Sequence, residues 1–96
     1  QRFKKNIEPI ADMIDSINKI IPVSYTTIEN NKNKYGFIAQ DLQKILPNVV
    51  NIPQDTNDMY SIDYISLIPL LTKSIQELSS IVSIQQNEIN ELKTKL

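Results

Sequence analysis

The chain has 96 residues, with 10 basic and 11 acidic side chains and a net charge of -1. It contains no cysteine and no histidine, which excludes disulfides, thiolate metal sites and histidine-based hydrolase chemistry. The balanced charge argues against a nucleic-acid partner, and no apolar run approaches the roughly 20 residues that cross a membrane. We therefore predict no metal, no cofactor, no nucleic acid and no membrane partner. Because so small a domain buries a small share of its surface, we expect oligomerisation.

The first predicted element is a helix over residues 7–21, where isoleucines recur at alternating steps of three and four. These isoleucines are Ile7, Ile10, Ile14, Ile17 and Ile21. Asn6 is the predicted N-cap of this helix, and Pro22 ends it. Two β-like runs follow, VSYTTI and YGFIA, separated by the polar stretch ENNKNK. This arrangement predicts a β-hairpin.

The stretch YGFIAQD joins the second of these strands to a short helix, and we predict that it is a structural motif. Its members are Tyr35, Gly36, Phe37, Ile38, Ala39, Gln40 and Asp41. Gly36 is predicted to give either backbone freedom or a close approach that a side chain would block. Phe37 and Ile38 are predicted to supply core, and Gln40 and Asp41 to mark the helix start. An acid-base pair of Asp41 and Asp63 is disfavoured, since nothing in the sequence places the two carboxylates at a suitable distance.

The helix that starts at Gln40 or Asp41 carries Leu42, Ile45 and Leu46 on one side and is ended by Pro47. Residues 51–58 are predicted to form a loop. The run MYSIDY at 59–64 is then predicted to be a short strand.

From Ser66 to Leu96 the pattern predicts a single helix of about 30 residues, which is long for a globular protein. With Ser66 as N-cap, Pro69 would lie in the first turn, where its missing N–H breaks no hydrogen bond. The predicted oligomer interface consists of Leu71, Ile75, Leu78, Val82, Gln85, Ile89, Leu92 and Leu96, which follow a heptad spacing. We refer to these eight residues as the seam.

The seam predicts a parallel coiled coil between copies of the chain, because a hairpin and a two-turn helix cannot bury it. Ile75, Val82 and Ile89 occupy a positions, while Leu78 and Leu92 occupy d positions. β-branched residues at a with leucine at d favour dimers. A polar residue at d and an additional isoleucine at g, Gln85 and Ile81, are compatible with three strands. Periodicity alone leaves both oligomers open.

Four stretches follow one another along the chain: QRFKKNIEPI, PVSY, YGFIAQDLQKILPNVV and YSIDYISLIPLLTKSIQEL. Together with the predicted coiled coil, they resemble a known family. It is the C-terminal intramolecular chaperone domain of phage endosialidase tailspikes, which is similar to modules in other tail fibres and in myelin regulatory factor. The resemblance implies a homotrimer that aligns an upstream β-rich fibre while it folds, and that then cuts itself off. It also implies a location in the host cytoplasm during virion assembly, or on the virion before release.

The family cleaves just before a serine, using a Ser-Lys dyad in a motif like S-D-x-R-x-K-x-N-I. Arg2, Lys4, Asn6 and Ile7 match the later part of this motif, so the resemblance implies that Lys4 is the dyad base. The serine would lie two residues before Gln1, and the chain as given could not perform the cut. A lysine acts as a base only where desolvation or nearby cations favour its neutral form. Without the motif, Lys4 and its neighbour would be interpreted as solvated lysines.

The predicted fold is therefore mainly α with a small β element, in the α+β class. Residues 1–65 form a compact head of short helices and a hairpin, and residues 66–96 form the long trimerising helix of the same single domain. One alternative is a permanent coiled-coil oligomerisation module without cleavage. Another is the same module in a membrane-tethered transcription factor. A serine five positions before Lys4 would favour the self-releasing chaperone.

Overall fold

The computed structural model of the chain describes residues 4–54 and 59–96. Its helices are α1 (Ile14–Ile17), α2 (Ala39–Ile45) and α3 (Tyr64–Lys95), and its strands are β1 (Val23–Thr26), β2 (Asn33–Gly36), β3 (Val50–Asn51) and β4 (Ser61–Ile62). A 3-10 helix, Pro47–Val49, joins α2 to β3. Short helices and two hairpins followed by one long helix confirm the predicted α+β class. Residues 55–58 of the predicted loop lie outside the described ranges.

The first helix is much shorter than the predicted span of residues 7–21, because it covers only Ile14–Ile17. Asn6 has a positive φ of 52°, a left-handed conformation unlike that of an N-cap residue. As a result the ends of the predicted apolar stripe, Ile7 and Ile21, remain 70% and 73% exposed.

The predicted hairpin of β1 and β2 is confirmed, with Val23 opposite Gly36 and Thr26 opposite Asn33 in an antiparallel pair. In its turn, Asn31 adopts a positive φ of 56°, which asparagine tolerates better than most residues. The amide of Thr27 donates to the carbonyl of Lys32 across 2.9 Å, closing the turn. The hairpin thus delivers the chain from Gly36 directly into the start of α2.

The core lies where α2 and the 3-10 helix pack against the first turns of α3. Its buried members are Leu42, Leu46, Val49, Val50 and Leu67. Partly buried side chains from α1, the hairpin ends and β4 pack around them, including Ile17, Phe37 and Ile62. The α2 prediction is confirmed, since the helix ends before Pro47 and turns Leu42 fully inward.

A second, smaller hairpin leads into α3; its strand β4 lies within the predicted strand of residues 59–64, but its pairing with β3 was not predicted. Val50 pairs with Ile62 and Asn51 with Ser61, so Asn51 belongs to a strand and not to the predicted loop. The amide of Asp63 then donates to the carbonyl of Val49 across 2.7 Å. This pairing holds the beginning of α3 against the core.

The long helix begins earlier than predicted, at Tyr64, and its N-cap is Asp63 instead of Ser66. Pro69 consequently lies inside the helix, past its first turn. Because proline has no N–H, the carbonyl of Ile65 loses its helical donor, and the prediction that no hydrogen bond is broken is wrong. The 32 residues of α3 extend about 48 Å at 1.5 Å per residue, so its second half projects beyond the head.

Candidate functional site

The seam lies on a face of α3 that the head leaves uncovered. Among its hydrophobic members before the terminus, exposure runs from 42% at Leu71 to 67% at Ile75. Gln85 is also exposed, and Leu96 is fully exposed just past the end of the helix. Leaving these large apolar side chains in water instead of burying them costs roughly 25 cal/mol for each Å² of apolar surface. The chain therefore presents an apolar surface along about two thirds of α3.

The face of α3 beside the seam packs against the head. Leu67 is 4% exposed and Ser74 is 7% exposed, and Leu70 and Glu77 are partly buried on the same face. The hydroxyl of Ser74 donates to the carbonyl of Leu70 across 3.0 Å, which satisfies it where α1 approaches. One face of the helix thus builds the subunit, while the other face is free to meet another chain.

The structure adds Ile68 to the predicted seam. It lies one heptad before Ile75, on the same face of α3, and is 60% exposed. The heptad spacing of the sequence includes Ile68. The prediction that α3 starts at Ser66 placed this residue in the first turn, outside the seam. The uncovered face therefore extends into the part of α3 that carries the head.

Lys4, the residue matched to the dyad base, is exposed at the start of the described chain. Ile7, three residues after Lys4, is 70% exposed and lies outside the core. Arg2 and Phe3 lie outside the described residues. The described residues of a single chain therefore do not surround Lys4 with the apolar packing that a neutral lysine needs.

The YGFIAQD motif acts as the junction between the hairpin, α2 and α3. A Cβ placed on Gly36 would lie 2.8 Å from the hydroxyl oxygen of Tyr64, so the predicted close approach is confirmed. Phe37 stacks on Tyr64 with ring centroids 6.1 Å apart and packs against the core, as predicted. The motif therefore packs against the first turn of α3 and holds it in place.

Other members of this motif face solvent. Ile38 is 51% exposed, so its predicted core role is wrong, and Tyr35 is 83% exposed. Ala39 begins α2 and packs against the core, while Gln40 and Asp41 lie exposed in the first turn. The N-cap position of α2 is occupied by Ile38, which forms no side-chain cap. Its carbonyl instead accepts from the amides of Asp41 and Leu42.

Asp63 is a capping residue and not half of an acid-base pair. One carboxylate oxygen accepts from the amide of Ser66 at 3.2 Å, and the other accepts from the Ser66 hydroxyl at 2.6 Å. These two hydrogen bonds hold the pKa of Asp63 below its ordinary value, because they favour the ionised carboxylate. An aspartate three residues before a serine at a helix start was the sequence signal for this cap.

Glu77 makes the contact that sequence reasoning missed. Its carboxylate accepts from the backbone amide of Met13 at 2.5 Å and from that of Ile14 at 3.2 Å. These amides open α1 and have no partner within that helix. Partners 64 and 63 residues apart carry no local pattern, so the sequence held no signal for this contact.

Within residues 4–54 and 59–96, no helix is both long and apolar enough to cross a bilayer. In the same part of the chain, no cluster of three or more acidic side chains is arranged to hold a metal ion.

Comparison with known proteins identifies the family of this chain. Residues 1–51 match the family described as chaperone of endosialidase, which is more than half of the chain. The chain belongs to the chaperone of endosialidase family. The match covers the segment of Lys4, the hairpin, α2 and the 3-10 helix, so the family assignment rests on the head and stops before α3.

Relatives extend the similarity over α3. The chain is 28% identical over 102 residues to the long tail fiber protein Gp37 of Enterobacteria phage K3, covering 99% of this chain and 8% of that protein. It is 42% identical over 66 residues to Gp37 of Enterobacteria phage M1, covering 68% and 24%. With Gp37 of Salmonella phage S16 it shares 30% over 106 residues, covering 100% and 13%. The chain thus spans less than a quarter of each of these relatives.

Proposed function

We propose that this domain is the intramolecular chaperone of a phage tail fibre. It trimerises, aligns the three chains of an upstream β-rich fibre for folding, and is then released by self-cleavage. The observation that carries the proposal is the uncovered seam of α3 on a head that belongs to the chaperone of endosialidase family. The relatives named as long tail fiber proteins support a fibre as the client.

The proposed oligomer follows from how α3 divides its two faces. The head covers Leu67 and Ser74 and leaves Ile75 and Leu78 in water. A parallel coiled coil would bury the seam and bring three heads to the same end of the assembly, with their N-termini in register. The upstream fibre needs its three chains aligned in register in order to fold. Contacts between distant parts of the chains form slowly unless the chains are already aligned.

The proposed release step uses Lys4 and the serine expected five positions before it. In its neutral form the Lys4 amine takes the proton of the serine hydroxyl, and the oxygen attacks the carbonyl carbon just before the serine. The peptide C–N bond breaks, and the amine leaves with a proton returned by the lysine. Water then hydrolyses the ester, which frees the upstream carboxylate and restores the serine hydroxyl. Since Lys4 is exposed in one chain, neighbouring subunits must supply the packing that keeps it neutral.

The test is to express the domain joined to a few dozen of its native upstream residues and to read the products by denaturing and native mass spectrometry. Self-release predicts two fragments cut just before a serine, the smaller one a trimer. Lys4→Ala should leave the precursor whole and still trimeric, slowing the cut by at least about a hundredfold. Lys5→Ala is the matched control and should cut normally.

A precursor that stays whole in the wild type would contradict self-release and favour a permanent oligomerisation module. If the Lys4→Ala variant cuts like the wild type, Lys4 is not the base. We place release in the host cytoplasm during virion assembly, or on the particle before the domain departs.

A further inference from the structure

Glu77 ties the N-terminal segment of the chain to the long helix. Both oxygens of its carboxylate are engaged, one by the Met13 amide at 2.5 Å and one by the Ile14 amide at 3.2 Å. Hydrogen bonds to an ionised acceptor are stronger than neutral ones, and two of them together fix an orientation as well as a position. Glu77 is partly buried, so water competes less for these bonds than at an open surface.

The segment before α1 follows the same helix. Pro9 and Ile10 lie beside Ile68 and Thr72 around a shallow groove, and Asp12 lies beside Glu77 around the next groove along α3. Residues 4–13 have no regular secondary structure of their own, so side chains on α3 are what can hold them. Among these, the carboxylate of Glu77 binds the segment through its backbone.

The neighbour of Glu77 belongs to the seam. Leu78 is 51% exposed on the uncovered face, while Glu77 turns toward the head. Helix α3 is continuous through both residues. Fixing Leu78 in a coiled coil therefore fixes Glu77, and through it the backbone at Met13, nine residues after Lys4.

We propose that Glu77 is a positioning residue for self-cleavage, which links assembly of the seam to placement of the segment that carries Lys4. This inference rests on the proposed function. Glu77 does not touch the reacting atoms. By binding the amides of Met13 and Ile14, it fixes the far end of the segment that carries Lys4. Small misplacements of catalytic groups lower the reaction rate strongly.

The test uses the domain with its native upstream residues and compares Glu77→Gln, Glu77→Asp and Glu91→Gln. Glutamine keeps the size of Glu77 but offers only one acceptor oxygen, and aspartate keeps both oxygens on a shorter stem. Glu91 lies two heptads later on the same side of α3, so Glu91→Gln matches the charge change. We expect Glu77→Gln to slow the cut at least about tenfold, Glu77→Asp to recover part of the rate, and Glu91→Gln to cut normally.

Hydrogen exchange separates positioning from a general loss of folding. In the Glu77→Gln variant, the Met13 and Ile14 amides should lose protection at least about tenfold, while the α3 amides and the trimer mass stay unchanged. If wild type cuts and Glu77→Gln cuts as fast, or if protection at Met13 is unchanged, the positioning role is wrong and self-release stands. If the rate falls only together with trimer mass, Glu77 is structural and the inference is also wrong. If wild type stays whole, the proposed function fails and this inference fails with it.

Discussion

At the scale of single residues, Gly36 shows how one missing side chain joins three elements. It ends β2, is buried, and leaves room for the hydroxyl of Tyr64 at the start of α3. Its φ does not lie in the left-handed region, so glycine is needed here for space and not for backbone conformation. The sequence offered both explanations, and the contact with Tyr64 decides between them.

Gly36→Ala is expected to destabilise the fold by about 1 kcal/mol, the lower end of the cost of overpacking. The new Cβ would meet the Tyr64 oxygen at 2.8 Å, but the next contacts are at 3.5 Å to Tyr25 and 3.9 Å to the Tyr64 ring. Removing that hydroxyl should therefore cancel most of the cost. Thermal unfolding of Gly36→Ala, Tyr64→Phe and the double variant at one protein concentration would measure the coupling. An equal cost of Gly36→Ala in both backgrounds would show that Tyr64 is not the obstacle.

At the scale of the element, the cap at Asp63 determines where α3 begins. The residue binds Ser66 through its side chain and Val49 through its amide, so the helix start is held to the core from both directions. Starting at Tyr64 instead of after Ser66 adds three residues to the helix before Leu67, which lies in the core, and Ile68, which lies on the uncovered face. The cap thus fixes the first turn of α3 to the core.

This cap predicts an acid-sensitive stability. The pKa of Asp63 is lowered from its ordinary value of 3.8, first by the Ser66 hydroxyl and then by the Ser66 amide. A carboxyl whose pKa is depressed by folding contributes stability above its unfolded pKa and loses it as pH falls through the folded value. The thermal midpoint should therefore drop as pH is lowered from about 5 through that depressed pKa.

Asp63→Asn retains a good cap but has no charge to titrate in this range. Its thermal midpoint, measured by circular dichroism from about pH 5 downward, should fall less steeply than that of the wild type. Glu91→Gln removes a carboxylate far from the cap and should keep the wild-type slope. Identical slopes for Asp63→Asn and wild type would mean that the cap contributes nothing to the pH dependence.

At the scale of the whole molecule, α3 is longer than the small head can cover. The described residues extend 64 × 43 × 21 Å, and their buried core has five hydrophobic members, four in the head and one, Leu67, near the start of α3. Most of the seam lies beyond that core. We therefore expect the isolated subunit to be unstable relative to an assembly in which copies of α3 bury the seam together.

Leu78→Asp or Ile89→Asp should dissolve this oligomer, because each places a charge in the apolar centre of the coiled coil. We expect association to weaken by at least about a hundredfold, which native mass spectrometry and sedimentation would detect as single chains. Asn87→Asp introduces the same charge on the outer side of the helix and should keep the wild-type mass.

The same Leu78→Asp change in the upstream-extended precursor should also prevent self-cleavage, since one chain leaves Lys4 exposed. A monomeric variant that still cut itself would show that the dyad does not need neighbouring subunits. Native mass retained by Leu78→Asp would instead mean that the seam is not the interface.

What the sequence by itself determined is the set of features that depend on nearby residues. The heptad spacing of the seam predicted a long helix, Pro47 the end of α2, and β-branched residues around a polar turn the first hairpin, all of which the structure contains. Hydrophobic period, proline chemistry and turn propensity act over a few positions, so a single sequence reveals them.

Only the tertiary structure decided the features set by residues far apart in the chain. The helix predicted over residues 7–21 shrank to Ile14–Ile17, and its first amides are held by Glu77 on another element. Val50 pairs with Ile62, a partner that the strand pattern of residues 59–64 did not indicate. The physical reason is the same in each case. A backbone group takes whichever partner the folded chain brings near, and that choice is made by packing across the whole domain.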